Sequence, residues 1–269
     1  MATALHIPLH YTVQGSGPDV LLVHGWVSSG RMWSRLVDAL EGRARFWSVD
    51  LYGFGQSPRP ARGETVGVDD HAALLLDFCN AHGIRPHAVV GHSMGGMLAL
   101  KLALARPDWL EKLVLLSPVV SGRFGHPFDL SRLVISDWGR SIIGSKAFWT
   151  TALDVVMPAL ATPGHFFLEE TVITRIQEDF KRSDWQAAAG ALESIARENL
   201  LPRLGDIPHP ALVIVGKRDM TVPPDEGRAA ARRLPRGSLL ELPRINHQPL
   251  DEAPGPVIRA VDAFLTRPA

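Results

Sequence analysis

The chain has 269 residues, with 28 Lys and Arg balanced by 28 Asp and Glu, so its formal net charge at pH 7 is zero. Apolar residues make up 46% and charged residues 21%, enough to fill the core of one α/β domain or two smaller ones. Neutrality argues against the concentrated basic surface that nucleic acid requires, and a single cysteine, Cys79, excludes an internal disulfide or a multi-cysteine metal site.

Short apolar runs punctuate the chain. Val20 to Val23, Phe46 to Val49, Ala88 to Val90, Leu113 to Leu116 and Ala211 to Val215 each read as a buried strand, and a further short run spans Ser238 to Leu242. Apolar runs of this kind, rich in Val, Ile or Leu, suit a parallel sheet covered on both faces. Between the runs lie helical patterns over Met32 to Leu40, Asp69 to Ala81, Met94 to Ala105, Pro224 to Leu234 and Pro256 to Phe264. Strand–helix alternation predicts right-handed crossovers and a doubly wound sheet, with ligands at the carboxyl ends of its strands. His24, Asp50, Gly91, Ser117 and Gly216 fall at those ends.

The alternation breaks over about 121–202. That stretch is helical in character and rich in aromatics, among them Trp138, Phe148, Trp149, Phe166, Phe167 and Trp185. An insertion placed after one sheet strand, before the sheet resumes, would sit over the strand ends as a helical cap. The expected division is therefore a core of 1–120 and 203–269 with a cap of 121–202. No apolar run reaches the ~18 residues of a membrane span and no export signal opens the chain, so a soluble, cytoplasmic protein is expected.

Gly91-His92-Ser93-Met94-Gly95-Gly96 follows a predicted strand and opens a predicted helix. It fits the G-x-S-x-G nucleophile elbow in the strand–turn–helix context that motif needs. Small neighbours permit a strained central residue, and the helix start favours developing negative charge. A serine hydroxyl is a weak nucleophile, so it needs a base held by a third group.

In an elbow of this kind the acid and then the histidine follow in chain order. Asp219 lies just past the fifth strand, and His247, the last histidine, follows the run ending at Leu242. Asp225 and Asp251 are the nearby alternatives for the acid; the first reads as a first-turn helix residue, the second as a lead into the last helix. Two backbone N–H groups are needed for the oxyanion, and Met94 and Trp26 are the candidates. His24 reads as a structural hydrogen bonder beneath the Trp26 loop. The remaining histidines, including His71, His126 and His165, form no metal motif.

These residues resemble the α/β-hydrolase superfamily over nearly the whole chain. The likeness rests on His24-Gly25-Trp26, the Asp50 to Ser57 glycine-rich turn, the Ser93 elbow, Gly216 to Val222, and Asn246-His247 with Glu252-Ala253-Pro254. Within it, the sequence is similar to pimeloyl-carrier-protein methyl ester esterases, enol-lactonases and cofactor-free haloperoxidase-like esterases; meta-cleavage carbon–carbon hydrolases share the layout. Epoxide hydrolases and haloalkane dehalogenases resemble this plan with Asp at the position of Ser93. The resemblance implies a cofactor-free serine hydrolase, with no metal, cleaving a carboxylic ester or lactone through an acyl-enzyme on Ser93. A carbon–carbon hydrolase, thioesterase or acyl transferase on the same triad is the alternative, and a non-catalytic receptor a third reading. The cap aromatics suggest a small-molecule ester with an apolar acyl or alkyl group. A mildly basic first part of the cap, with Arg123, Arg132, Arg140 and Lys146, permits an acidic partner without requiring one. No residue is assigned to substrate binding, and oligomeric state is left open.

Overall fold

The computed structural model describes residues 7–125, 130–151 and 169–268, apart from the side chains of 149 and 150. Of the sequence candidates, His126, His165, Phe166, Phe167 and the Trp149 side chain lie outside that description.

Seven strands form one sheet in the order β1-β3-β2-β4-β5-β6-β7. They are β1 (Tyr11–Gly15), β2 (Asp19–Val23), β3 (Arg45–Val49), β4 (Ala88–His92), β5 (Lys112–Leu116), β6 (Pro210–Gly216) and β7 (Arg236–Leu242). The five runs read from sequence are β2 to β6, each within about a residue or two. The run at Ser238 is the end of β7.

Strand β1 has no counterpart in the sequence reading. It pairs antiparallel with β3, whereas every other pairing is parallel. Its residues are exposed except for the half-buried Tyr11, so no buried apolar run marks it. An edge strand held mainly by backbone pairing carries little side-chain signal.

Alternate residues along the inner strands face opposite layers. Leu21, Val23, Val89, Leu113 and Leu115 enter one core cluster, packed with α2 (Val68–Ala81) and α3 (Met94–Ala105). Val20, Leu22, Val90, Val114 and Leu116 enter the other cluster, beneath α1 (Ser34–Leu40). Cys79 is fully buried in the first cluster, and burial pushes its thiol well above the ordinary range. It is a packed apolar group rather than a nucleophile.

Between β5 and β6 the described chain is helical: α4 (Ser131–Val134), α5 (Asp137–Ile143), α6 (Lys146–Thr151), α7 (Glu170–Arg182) and α8 (Trp185–Arg197). After β6 come α9 (Pro224–Arg233), α10 (Pro249–Glu252) and α11 (Pro254–Leu265). The buried Lys112 Nζ donates to the Leu265 carbonyl at 2.8 Å, closing the last turn of α11 where a cation is favoured.

Helix α8 lies against core loops. Asp184 N–H donates to Gly53 O at 2.7 Å, and Val68 N–H to Ser194 Oγ at 3.1 Å. A methyl group on Gly53 would meet Ala187 Cβ at 2.3 Å, and Gly53 itself stands at φ 82°, so only glycine fits that contact. The segment that follows β5 is held by buried Glu226 of α9. Its carboxylate accepts Val120 N–H at 2.9 Å, Ser121 N–H at 2.6 Å and Ser121 Oγ–H at 2.6 Å. No described helix is long and apolar enough to cross a membrane.

Candidate active site

Ser93 stands between β4 and α3 at φ 52° and ψ −113°, a strained conformation for a residue with a side chain. What holds it is close packing of glycine backbone. A Cβ on Gly91 would meet Gly95 O at 2.2 Å, and one on Gly95 would meet Val23 O at 2.1 Å. Backbone bonds complete the turn: Ser93 N–H donates to Leu116 O at 2.9 Å, and Gly96 N–H to Ser93 O at 3.0 Å. The result is a strand-to-helix corner with Ser93 at its tip and Met94 as the first residue of α3. An N–H there has no partner within the helix, and it adds the dipole's positive end.

The loop after β2 packs directly on this corner. A Cβ on Gly25 would lie 2.8 Å from His92 Nδ1 and 3.2 Å from Ser93 Cβ. The missing side chain therefore lets the backbone of Gly25-Trp26 approach Ser93. The Trp26 ring reaches away to the insertion, where its Nε1–H donates to Ala188 O of α8 at 2.8 Å. Beneath the loop, fully buried His24 donates from Nδ1 to Gly25 O at 2.7 Å and accepts Leu51 N–H at Nε2, 2.9 Å away. Burial holds its pKa below the ordinary histidine value, so it is a neutral structural bridge.

Asp50 organises the next layer. Its carboxylate accepts Gly30 N–H at 2.7 Å and Gln56 N–H at 2.8 Å. Gly55, at φ 57°, passes so close that a Cβ would sit 2.3 Å from Asp50 Oδ2. The glycine-rich turn thus wraps a carboxylate that in turn fixes the loop bearing Trp26.

Asp219 and His247 come together as their positions in the chain suggested. His247 Nδ1 lies 2.8 Å from Asp219 Oδ2, and both side chains are buried. Asp219 Oδ1 also accepts Thr221 N–H at 2.9 Å and Val222 N–H at 2.8 Å. Burial alone would raise the Asp219 pKa. The neighbouring His247, the bond to it and the two backbone donors outweigh burial and hold it below the ordinary carboxylate value. An ionised Asp219 is a hydrogen-bond acceptor for His247 Nδ1, and that bond orients the ring.

The two loops are zipped together by Lys217 N–H to Leu242 O and Arg218 N–H to Ile245 O, each at 3.0 Å. Gly216 permits that approach, since its Cβ would meet Asn246 O at 2.1 Å. His92, beside Ser93, bonds from Nε2 to His247 O at 2.8 Å, with the two rings 4.8 Å apart. Among the described residues, Ser93 Oγ and His247 Nε2 make no hydrogen bond to each other; such contacts commonly tighten only when substrate is present.

Neither alternative acid reaches His247. Asp225 is bound by Arg228 at 2.8 Å, and Asp251 by Arg175 at 2.7 Å. Arg140, one of the basic residues in the insertion, is engaged by Asp137 and Glu193. Among the described residues, no cluster of His, Cys, Asp and Glu could hold a metal ion.

Sequence reasoning left Glu252 without a role. It clamps the His247 turn, accepting Asn246 N–H, Asn246 Nδ2–H and Gln248 N–H, each at 2.9 Å. Its signal in the sequence was its place in the pattern Asn246-His247 with Glu252-Ala253-Pro254, five residues after His247.

A family model described as the alpha/beta hydrolase fold matches residues 18–254, and the chain belongs to that family. Among known proteins it is similar to the pimeloyl-[acyl-carrier protein] methyl ester esterase of Chromobacterium violaceum, 31% identical over 93% of this chain and 95% of the relative. Among solved structures, a thermophilic esterase from Thermogutta terrifontis superposes with a TM-score of 0.81 at 27% identity, covering 96% of this chain and 93% of that one. The enol-lactonase from Burkholderia xenovorans LB400 gives 0.82 at 25% identity, covering 96% of each. Fold and relatives together make the chain an ester-hydrolysing enzyme of the α/β-hydrolase family.

Proposed function

We propose that the chain is a cofactor-free serine hydrolase that cleaves a carboxylic ester or lactone through an acyl-enzyme on Ser93. The observation that carries this reading is the buried Asp219–His247 bond of 2.8 Å, in a loop that His92 ties to the strained Ser93 corner. His247 Nε2 takes the Ser93 proton as Oγ attacks the carbonyl carbon. The carbonyl π electrons move onto oxygen, and the N–H groups of Met94 and Trp26 receive that oxyanion. Collapse expels the alkoxide, which leaves with the proton from His247. Water, deprotonated by the same nitrogen, then attacks the acyl carbon and frees the acid and Ser93. For a lactone the alkoxide remains tethered to the acyl group, and the steps are otherwise the same.

The insertion, read as a cap of 121–202 over a core of 1–120 and 203–269, would enclose the group being cleaved. Trp26, Val27, Phe124, Phe148, Phe180 and Trp185 are all half-buried apolar residues on the first core cluster, and they support an apolar acyl or alkyl substituent. The esterase and enol-lactonase names of its relatives agree with that bond class.

The test is a fluorophosphonate adduct mapped by mass spectrometry, with Ser93 as the expected site. Ser93→Ala is expected to lose at least about 10³-fold in kcat on p-nitrophenyl butyrate. Undiminished turnover in that variant, or an adduct elsewhere, overturns the assignment.

A further inference from the structure

Helix α7 carries two charged residues one turn apart, half-buried Arg175 and buried Asp179, and each is set against a different loop of the site. Arg175 grips Asp251 with two bonds, Nη2 to Oδ2 at 2.7 Å and Nη1 to Oδ1 at 3.2 Å. The Asp251 side chain is fully shielded from solvent, and Arg175 is 14% exposed. Asp251 lies in α10, the single turn that follows His247, and its N–H donates back to Gln248 O at 3.0 Å.

Asp179 reaches the other way. Its Oδ1 accepts Ser29 Oγ–H at 2.8 Å, Arg31 Nη2–H at 2.6 Å and Arg31 Nε–H at 3.2 Å, and the residue is 1% exposed. Glu178 adds a second carboxylate to Arg31 at 2.8 Å. Ser29 ends the loop that begins at His24 and bears Trp26, and Arg31 lies in the 3-10 turn, Gly30–Trp33, that follows it. Residues four apart share a helix face, separated by about 6 Å along the axis.

A buried ion pair is a poor device for stability alone, because desolvation offsets most of its attraction and apolar groups of similar shape do as well or better. What charge-assisted bonds supply is fixed geometry, above all in the bidentate Arg175–Asp251 pair. These pairs join an insertion helix to the loop holding the base and to the loop holding an oxyanion donor.

We propose that α7 is a strut that positions the catalytic machinery: Arg175 sets the His247 turn through Asp251, while Asp179 sets the Trp26 loop through Ser29 and Arg31. Arg175 and Asp179 are positioning residues in this account. Seating of α7 and assembly of a competent site become one event, since releasing either end frees one loop relative to the other. The inference rests on the serine-hydrolase reading above.

The decisive variant is Arg175→Met combined with Asp251→Leu in the full chain. It removes the bonds while keeping apolar volume, so the melting temperature is expected to hold or rise. The expected result is a fall of at least tenfold in kcat on p-nitrophenyl butyrate and in the rate of fluorophosphonate labelling, with KM within about threefold of wild type. Arg175→Lys, which keeps the charge and loses the fork, is expected to retain the fold and an intermediate kcat. A folded double variant with wild-type kcat and labelling rate overturns the strut alone. If the double variant does not fold, an unchanged kcat in Arg175→Lys overturns it. A kcat that falls only in step with melting temperature across these variants also overturns it, by making the pairs merely structural. A wild-type enzyme that takes no label at Ser93 overturns the serine-hydrolase reading, and the strut with it.

Discussion

Glu252 holds both flanks of His247: one carboxylate oxygen accepts the N–H of Asn246 and the other the N–H of Gln248, each at 2.9 Å. The turn that carries His247 is therefore fixed by a side chain that bonds, among the described residues, only to those flanking it. Glu252→Ala leaves two backbone donors without their acceptor. It is expected to lower stability by about 2 kcal/mol and kcat about tenfold, with little change in KM. Urea denaturation and steady-state kinetics on one preparation check both, and an unchanged kcat in a destabilised variant would refute the positioning role.

Asp219 is expected to act by orienting imidazole rather than by taking a proton. In Asp219→Asn the amide keeps the shape, but its nitrogen can face His247 Nδ1 and favour the wrong tautomer. A loss of about 10³- to 10⁴-fold in kcat is expected, with the fold retained. The same carboxylate gives a pH signature. Its folded-state pKa lies below the unfolded value, so its stabilising contribution is present above about pH 4 and is lost as pH falls through the folded value. Thermal melts of wild type and Asp219→Asn between pH 6 and pH 3 are expected to converge at the acid end.

His71 makes a separate prediction. It is fully buried on α2 against Phe54, with ring centroids 5.7 Å apart, and neither ring nitrogen has a partner among the described residues. Burial, and secondarily the nearness of His24, bring its pKa down to about 3. The unfolded chain, with a histidine pKa near 6.5, takes up a proton that the folded chain refuses as pH drops. Stability is therefore lost from about pH 6.5 down to about pH 3, at up to about 1.4 kcal/mol per pH unit for this group. His71→Leu is expected to flatten the dependence of unfolding free energy on pH between 6 and 4. An unaltered slope in that variant would show that His71 does not set it.

Much of the site was legible because its chemistry is written in local spacing. The Ser93 elbow, the glycines around it and the order Ser93, Asp219, His247 all follow from what a strained strand-to-helix corner and a base held by an acid require. His24 was legible as a structural group for a similar reason, since it precedes a glycine at a strand end. The edge strand β1 was not, because its residues are largely exposed and its stability comes from pairing with β3. Nor was Glu252, whose work is done through backbone amides that carry no residue identity.

The amino-acid sequence by itself determined the parallel core and singled out Ser93, Asp219 and His247 as candidates, since buried strands and motif turns are short-range patterns read within a few residues. Only the tertiary structure decided which carboxylates serve which cation. Asp251 and Arg175 are 76 residues apart, and Asp179 and Ser29 are 150 apart. An acid near His247 looks the same in sequence whether it faces the imidazole or an insertion arginine. The difference arises from how α7 packs across the loops, and that depends on long-range burial of charge that no local periodicity encodes.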